Sequence, residues 1–276
     1  GARANSIGLL RTDFTDGSPE PALLCYQVTA VGNGLEGAAS NVACADNTPV
    51  LPPGAPIGLT ATLVDPAAVA GALVLPRDEG SGQTANDASG NGNHARLGSG
   101  TGSDSADPAW VSGVAGTALQ FDGSNDFIEV ADAASLDMPG SFTVEAWVRH
   151  NSGTGTIVSK GDSGERTVRL RVNSSKGVEF RWENSSGTKR EVIVSSALPD
   201  AGWHHVACVY DQAAGQNRVY VDGTLRGSGG ASGAPATNAK ALTLGARRSS
   251  SSLKDFLNGA LDAVRIAPGA LYTSNF

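Results

Sequence analysis

The chain has 276 residues, a formal net charge of -7 and 36 glycines. Its acidic balance argues against a nucleic-acid partner, because neutralising phosphates requires clustered lysine and arginine. No run of about eighteen apolar residues occurs, so the sequence predicts no insertion into a membrane. Helical periodicity is nearly absent, whereas glycine and small polar residues separate short apolar runs. This pattern is typical of many tight turns between short β-strands.

The first predicted element is a β-hairpin within residues 25–44. Residues 25–31 and 39–44 have strand character and flank a turn near Gly34. Cys25 and Cys44 are equally far from that turn, so they are expected to face each other across two strands, a placement that suits a disulfide. Two unrelated free thiols are the alternative. A disulfide indicates an oxidising compartment, and the sequence therefore predicts a secreted or cell-surface protein.

The same residues resemble the last two strands of a fibronectin type III domain. The resemblance rests on a Tyr-x-Val-x-Ala-Val strand that begins at Tyr26 and on the dipeptide Ser40-Asn41. It implies a partial fibronectin type III-like hairpin module over residues 1–47. Residues 48–56 are rich in proline and are expected to be extended and rather stiff. We predict that residues 48–64 form a linker with a possible edge strand.

The rest of the chain is organised around residues 118–150, which contain two runs with a period of two residues. Seven motifs in order resemble the laminin G-like jelly-roll family of the concanavalin A-like lectin/glucanase superfamily; they lie at residues 78–82, 87–93, 118–127, 142–148, 203–207, 219–223 and 259–266. This resemblance implies an all-β fold, a two-sheet antiparallel jelly-roll sandwich over residues 65–276. The last strand is expected beside the strand that carries Phe121.

Because the superfamily includes glucanases, a pair of catalytic carboxylates has to be considered. Glu145 stands alone on its predicted strand. Glu179 and Glu183 share a strand face, but Arg181 lies between them and is expected to pair with one or both. Ion-paired carboxylates on a sheet face are the commoner outcome. The sequence therefore predicts no catalytic residues and no enzyme activity.

The resemblance also implies a structural calcium ion, because Asp262 occupies the aspartate position of the family's last strand. Asp122 and Gly123 are expected nearby, since the first and last strands of the sandwich are neighbours. A loop rich in aspartate and asparagine that begins at Asp87 offers further oxygen ligands. The predicted metal-binding residues are thus Asp262, Asp122, Gly123 and Asp87. The alternative is that Asp87 and Asp122 cap turns through their own side chains.

A carbohydrate site requires aromatic faces with polar groups beside them. Trp147 and Trp203 lie in motif strands and are expected in the core. Trp182 is less constrained, and with its neighbours Arg181 and Glu183 it is the predicted ligand-binding set on an exposed sheet face. Core packing is the favoured interpretation for any single tryptophan, Trp182 included.

Two functions follow from these observations. The first is a noncatalytic, secreted recognition module that binds polysaccharide or a cell-surface glycan as part of a larger extracellular protein. The second is a structural or adhesive building block of an extracellular fibre or surface array. In that case the partners would be other copies of the chain or neighbouring domains.

Overall fold

The computed structural model describes residues 71–76 and 79–276 in full, and the backbone of residues 24–26, 29–32, 35–39 and 43–45. Apart from a short 3-10 helix at Ala134–Leu136, the regular structure of these residues is β. No helix in this part of the chain has the length and apolar character that crossing a membrane requires. The strands are β1 Leu24–Tyr26, β2 Thr29–Gly32, β3 Leu35–Ala39, β4 Ala43–Ala45, β5 Leu73–Leu75, β6 Thr84–Ala85, β7 Ala95–Leu97, β8 Ala109–Ser112, β9 Thr117–Asp122, β10 Ile128–Val130, β11 Phe142–Ser152, β12 Gly155–Lys160, β13 Val168–Val172, β14 Val178–Glu183, β15 Lys189–Val194, β16 Trp203–Asp211, β17 Gln216–Val221, β18 Thr224–Gly230, β19 Leu242–Leu244, β20 Arg247–Ser249, β21 Ser252–Lys254 and β22 Asn258–Pro268.

The first four strands form nested antiparallel pairs. Strand β2 pairs with β3, and β1 pairs with β4. The register places Cys25 directly opposite Cys44, which confirms the predicted hairpin and its alignment. The disulfide between the two cysteines and the fibronectin type III-like character of the segment stay predictions.

The chain divides into two units, Gly1–Asp65 and Pro66–Phe276. The predicted linker at residues 48–64 lies outside the described residues, so the boundaries of the three predicted segments stay predictions. The second unit contains both large sheets and the candidate site.

Two antiparallel sheets of eight strands each build the second unit. In the first, which we call sheet A, the strand order is β15-β14-β13-β12-β19-β10-β7-β6. In the second, sheet B, the order is β18-β17-β16-β11-β22-β9-β8, and β5 also pairs with β22. The last strand lies beside the strand that carries Phe121, as predicted, and Gly259 is the residue opposite Phe121. The predicted two-sheet jelly-roll sandwich is thereby confirmed.

The alternation of apolar and polar residues decides which face of each strand is buried. In β11 the side chains of Phe142, Val144 and Val148 belong to the core, and in β14 those of Val178 and Phe180 do. The rings of Phe142 in sheet B and Phe180 in sheet A meet edge to face, with centroids 5.8 Å apart. Each such side chain contributes about 1.5–3 kcal/mol when it is fully buried. The intervening polar residues consequently face away from the core.

Candidate functional site

A row of polar side chains crosses the outer face of sheet A, on the side away from the core. Successive pairing registers align one residue from each of the eight strands, and alternate residues of a strand share a face. The row consists of Glu191, Arg181, Arg169, Ser159, Thr243, Glu129, Arg96 and Thr84. In the middle of this row, the side chains of Ser159 and Thr243 are almost completely buried.

Positive charge is concentrated around the β13 and β14 end of this row. We call the side chains of Arg166, Arg169, Arg171 and Arg181 the arginine face. The exposed fractions of Arg166, Arg169 and Arg181 are only 2%, 6% and 9%. Charged residues are rarely buried to this extent without ionic partners. An arginine that already has a carboxylate partner is not available to a ligand, so the partner of each arginine decides whether it can bind one.

Glu183 is the partner of two of these arginines. Its fully buried carboxylate accepts a hydrogen bond from Arg166 Nη1 at 3.0 Å and another from Arg181. The backbone N–H of Gly164 also donates to it, at 2.5 Å. Burial opposes ionisation, but the hydrogen bonds from Arg181 and the Arg166 N–H outweigh it and keep the pKa of Glu183 below its usual value. Glu183 is thus an ionised structural counter-charge.

Arg169 has no comparable partner. Its Nη2 atom lies 3.7 Å from a carboxylate oxygen of Glu179 and 3.8 Å from one of Glu191, too far for a hydrogen bond. The Glu179 carboxylate is instead bonded to Arg171 Nε at 2.6 Å. Buried Arg169 Nε has no hydrogen-bond partner among the described residues. Burial and the nearby charge of Arg171 lower the pKa of Arg169 to about 10, which leaves the guanidinium charged at neutral pH.

The hairpin formed by β20 and β21 is tied to this face by ionic contacts. Asp255 accepts hydrogen bonds from Arg247 Nε at 2.6 Å and from Arg171 Nη1 at 3.1 Å. At the turn of the hairpin, the Ser250 N–H donates to Asp162 in the loop after β12. The hairpin and this loop therefore form one side of a rim beside the arginine face.

A groove with a volume of about 630 Å³ opens at the edge strand β15. The groove is largely open to solvent, so this volume is that of a surface cleft and not of an enclosed pocket. Glu191 lines the groove and also approaches Arg169, so the groove and the arginine face adjoin at this residue. The lining residues are Lys189, Arg190, Glu191, Gly215, Gly230, Ala231 and Ser232.

Trp182 does not line this surface, and the prediction that it lies on an exposed face is wrong. Its side chain is fully buried in the core, where Nε1 donates to Asn217 Oδ1 at 2.9 Å and the ring centroid lies 4.4 Å from that of Tyr210. Adjacent residues of a strand point to opposite faces. The structure therefore brings Arg181 and Glu183 together on the outer face and separates both from Trp182.

The four residues predicted to bind calcium do not come together. Asp122 is opposite Asn258, four residues before Asp262 on the same strand, which corresponds to about 13 Å. Gly123 follows Asp122 in a turn with a φ of +83°. The carboxylates accept backbone N–H groups instead: Asp262 those of Val114 and Ala115, Asp122 those of Ser124 and Asn125, and Asp87 those of Val74, Ser89 and Asn93.

These residues do not fit a single calcium shell, because such a shell requires several oxygen ligands that converge on one point. Asp87 and Asp122 instead cap turns, which was the alternative interpretation of the sequence. Within residues 71–76 and 79–276, no cluster of three or more His, Cys, Asp or Glu side chains suited to a metal ion occurs. Calcium binding by the chain stays a prediction.

The carboxylates that the sequence suggested for catalysis belong to ion pairs. In sheet B, Glu145 accepts hydrogen bonds from Arg265 Nε at 2.5 Å and from the Tyr272 hydroxyl at 2.7 Å. In sheet A, Glu179 and Glu183 hold arginines of the arginine face. A carboxylate with a lowered pKa, such as Glu183, is a poor proton donor at neutral pH, whereas glycoside hydrolysis requires a general acid.

The environment of Asp126, in the turn after β9, is expected to make the free energy of unfolding depend on pH. The residue is nearly buried and accepts the Asp122 N–H at 2.8 Å, and its burial, together with the charges of Asp122 and Asp107, raises its pKa to about 6. The folded state therefore binds this proton more tightly than the unfolded state. The resulting stability is present below about pH 4 and is lost as the pH rises through 6.

We expect Asp126→Asn, which keeps the acceptor oxygen, to exceed the wild-type protein in stability by on the order of 1 kcal/mol at pH 8, and by much less at pH 4. Urea denaturation at both pH values measures the difference. An equal difference at the two values would show that Asp126 does not titrate in this range.

A family model described as the Concanavalin A-like lectin/glucanases superfamily matches residues 122–274. No curated protein matches the sequence. Among solved structures, the binding domain of Paraclostridial mosquitocidal protein 1 is similar, with a TM-score of 0.58 and 16% identity over 74% of this chain and 50% of that one.

Two botulinum neurotoxin domains are also similar. The receptor binding domain of the C/D mosaic serotype has a TM-score of 0.54 and 13% identity, over 74% of this chain and 49% of that one. The serotype D ligand binding domain in complex with N-acetylneuraminic acid has a TM-score of 0.52 and 14% identity, over 74% and 48%. This chain spans about half the length of these structures, and at such low identity the likeness concerns the fold alone.

Proposed function

This chain belongs to the Concanavalin A-like lectin/glucanases superfamily, and from that premise we propose that its sandwich is a noncatalytic, secreted module that binds carbohydrate. The observation that carries the proposal is the surface formed by the groove at β15 and the adjoining arginine face. Sugars present many hydroxyl groups, and recognising them requires fixed polar groups in a cleft of suitable volume. The groove combines charged side chains with backbone left accessible at Gly215 and Gly230.

The similar solved structures support this proposal at the level of the fold. They are binding domains, and one of them contains N-acetylneuraminic acid. A shared fold does not by itself carry a function over to this chain, so the residues of the site have to support the proposed function. Glu183 supports the noncatalytic role. Its carboxylate is paired with two arginines, which keep it ionised, so it is not available as a proton donor.

One observation favours the second candidate function, an adhesive or structural building block. Strand β15 lies at the edge of sheet A and carries Ile193, a large apolar side chain that is 55% exposed. Exposed apolar edge strands tend to pair with strands of other chains. If this edge serves assembly, the purified protein should form oligomers without any glycan.

Filling the groove tests the carbohydrate proposal. A Cβ atom built on Gly230 meets nothing within 4 Å, so Gly230→Tyr can add a large side chain at a residue that lines the groove. Gly102 is equally open but lies in the loop between β7 and β8, which makes Gly102→Tyr the matched control. We expect the wild-type protein to bind a subset of glycans on an array, and Gly230→Tyr to weaken that binding by about tenfold or more.

The control should bind as the wild-type protein does, and both variants should keep its melting temperature. The proposal is overturned if the wild-type protein binds no glycan, or if Gly230→Tyr binds with unchanged affinity.

A further inference from the structure

We propose that the arginine face selects an acidic carbohydrate, with Arg169 as the group that binds the carboxylate of the sugar. This inference rests on the proposed function, because it assigns a ligand class to the same surface. It concerns the one arginine of this face whose charge is not matched by a hydrogen-bonded carboxylate within the described part of the chain.

The carboxylates around Arg169 leave its guanidinium without a hydrogen-bonded anion. The two carboxylates buried at this face are committed to other arginines, Glu183 to Arg166 and Arg181, and Glu179 to Arg171. Burying a charge without a hydrogen-bonded partner is strongly unfavourable. Glu179 and Glu191 lie within ion-pair distance of Arg169 Nη2, at 3.7 and 3.8 Å, but neither accepts a hydrogen bond from it. A bound carboxylate would supply the hydrogen-bonded partner that both fail to provide.

The chemistry of the face fits a carboxylate. A guanidinium presents its N–H groups as a planar fork that matches the two oxygens of a carboxylate. Ser159 is directly opposite Arg169 in the strand register, and its buried hydroxyl has no partner within the described residues. The Nε atoms of Arg166 and Arg181 are buried and unpartnered in the same region. Several buried donors on this part of sheet A therefore lack an acceptor within the described residues.

Glu191 provides the route from the groove to Arg169. Glu191 is one of the residues that line the groove, and its side chain is 32% exposed and lies 3.8 Å from Arg169 Nη2 without a hydrogen bond. A carboxylate on a sugar in the groove can take the place of the Glu191 carboxylate beside Arg169. Glu191 is then a competitor for the ligand, and its removal favours binding of an acidic sugar.

The test compares ligands that differ only in the acidic group. The probes are sialyllactose and trigalacturonate, each alongside its carboxyl-reduced form, in which a hydroxymethyl group replaces the carboxylate. For at least one pair, we expect the wild-type protein to bind the acid at least about tenfold more tightly than the reduced form. Arg169→Gln should bind both forms with similar, weaker affinity. Arg218→Gln is the matched control, since Arg218 is a half-buried arginine of sheet B that is paired with Asp211.

Glu191→Gln keeps the shape of the side chain and removes the competing charge. In this variant the ratio of affinities for the acidic probe and its reduced form should be several-fold higher than the ratio for the wild-type protein. Because Glu191 is partly exposed and makes no hydrogen bond to Arg169, this measurement is informative even if Arg169→Gln does not fold.

The outcomes separate this inference from the proposed function. Three outcomes would overturn the inference and leave carbohydrate binding in place. The protein could bind neutral glycans without preferring a carboxylate, or it could bind sulfated glycans alone. The preference for the acid could also persist in Arg169→Gln. Failure of every glycan, neutral and acidic, to bind would overturn both.

Discussion

Replacing Trp182 by alanine is expected to lower the free energy of unfolding by about 4 kcal/mol. The indole is fully buried between the two sheets, its ring lies against Tyr210 with centroids 4.4 Å apart, and its N–H is bonded to Asn217. Alanine leaves a cavity that a close-packed core fills only in part. Urea denaturation followed by circular dichroism measures the loss without relying on tryptophan fluorescence.

Two further variants separate packing from hydrogen bonding. Trp182→Phe keeps an aromatic ring in the core but loses the bond to Asn217, so a loss of about 1–2 kcal/mol is expected. Trp110→Ala removes a half-buried indole at β8 and should cost clearly less than Trp182→Ala. If Trp182→Ala left stability unchanged and abolished glycan binding, the tryptophan would have to lie on the binding surface, contrary to the structure.

The second large effect is expected for Glu183→Ala, which should also cost about 4 kcal/mol. This substitution leaves Arg166 and Arg181 buried without their counter-charge, and it removes the acceptor of the Gly164 N–H. The cost therefore comes mainly from the two arginine charges that stay buried without a partner, and only in part from the lost attraction. Denaturation at pH 7, where Glu183 is ionised, measures it.

Glu191→Ala is the matched control for this second prediction. Glu191 belongs to the same face, one strand away, but its side chain is 32% exposed and makes no hydrogen bond to Arg169. Its removal should change stability by no more than about 0.5 kcal/mol. Equal losses for Glu183→Ala and Glu191→Ala would show that Glu183 is not a buried counter-charge.

The tryptophans show how much of side-chain burial the sequence pattern can predict. In residues 178–183, valine, phenylalanine and tryptophan alternate with glutamate, arginine and glutamate, so the pattern itself places Trp182 on the face opposite Arg181. The charged neighbours of Trp182 suggest an exposed position, but the alternation decides which face its side chain takes. Trp147 shows the converse. It was expected in the core, yet it is only partly buried and contacts His205 on the outer face of sheet B, because Val148 and its alternate neighbours occupy the core side.

The calcium prediction was limited by register. The resemblance correctly implied that the last strand lies beside the strand carrying Phe121. Adjacency does not specify which residues are opposite each other, and a shift of a few positions along a strand separates ligands by more than a coordination shell can span. The structure sets Asp122 opposite Asn258, which leaves Asp262 at the turn after β8.

The sequence by itself determined the all-β class, the N-terminal hairpin and the alternating strands, because each depends on residues that are neighbours in the chain. Only the tertiary structure decided that Arg169 and Ser159 share a row with Thr243 and Glu129, since that row depends on the order of strands far apart in sequence. Burial and charge balance at Arg169 follow from this long-range arrangement. A local pattern can specify which face a residue takes, but the partners on that face are set by packing between distant segments.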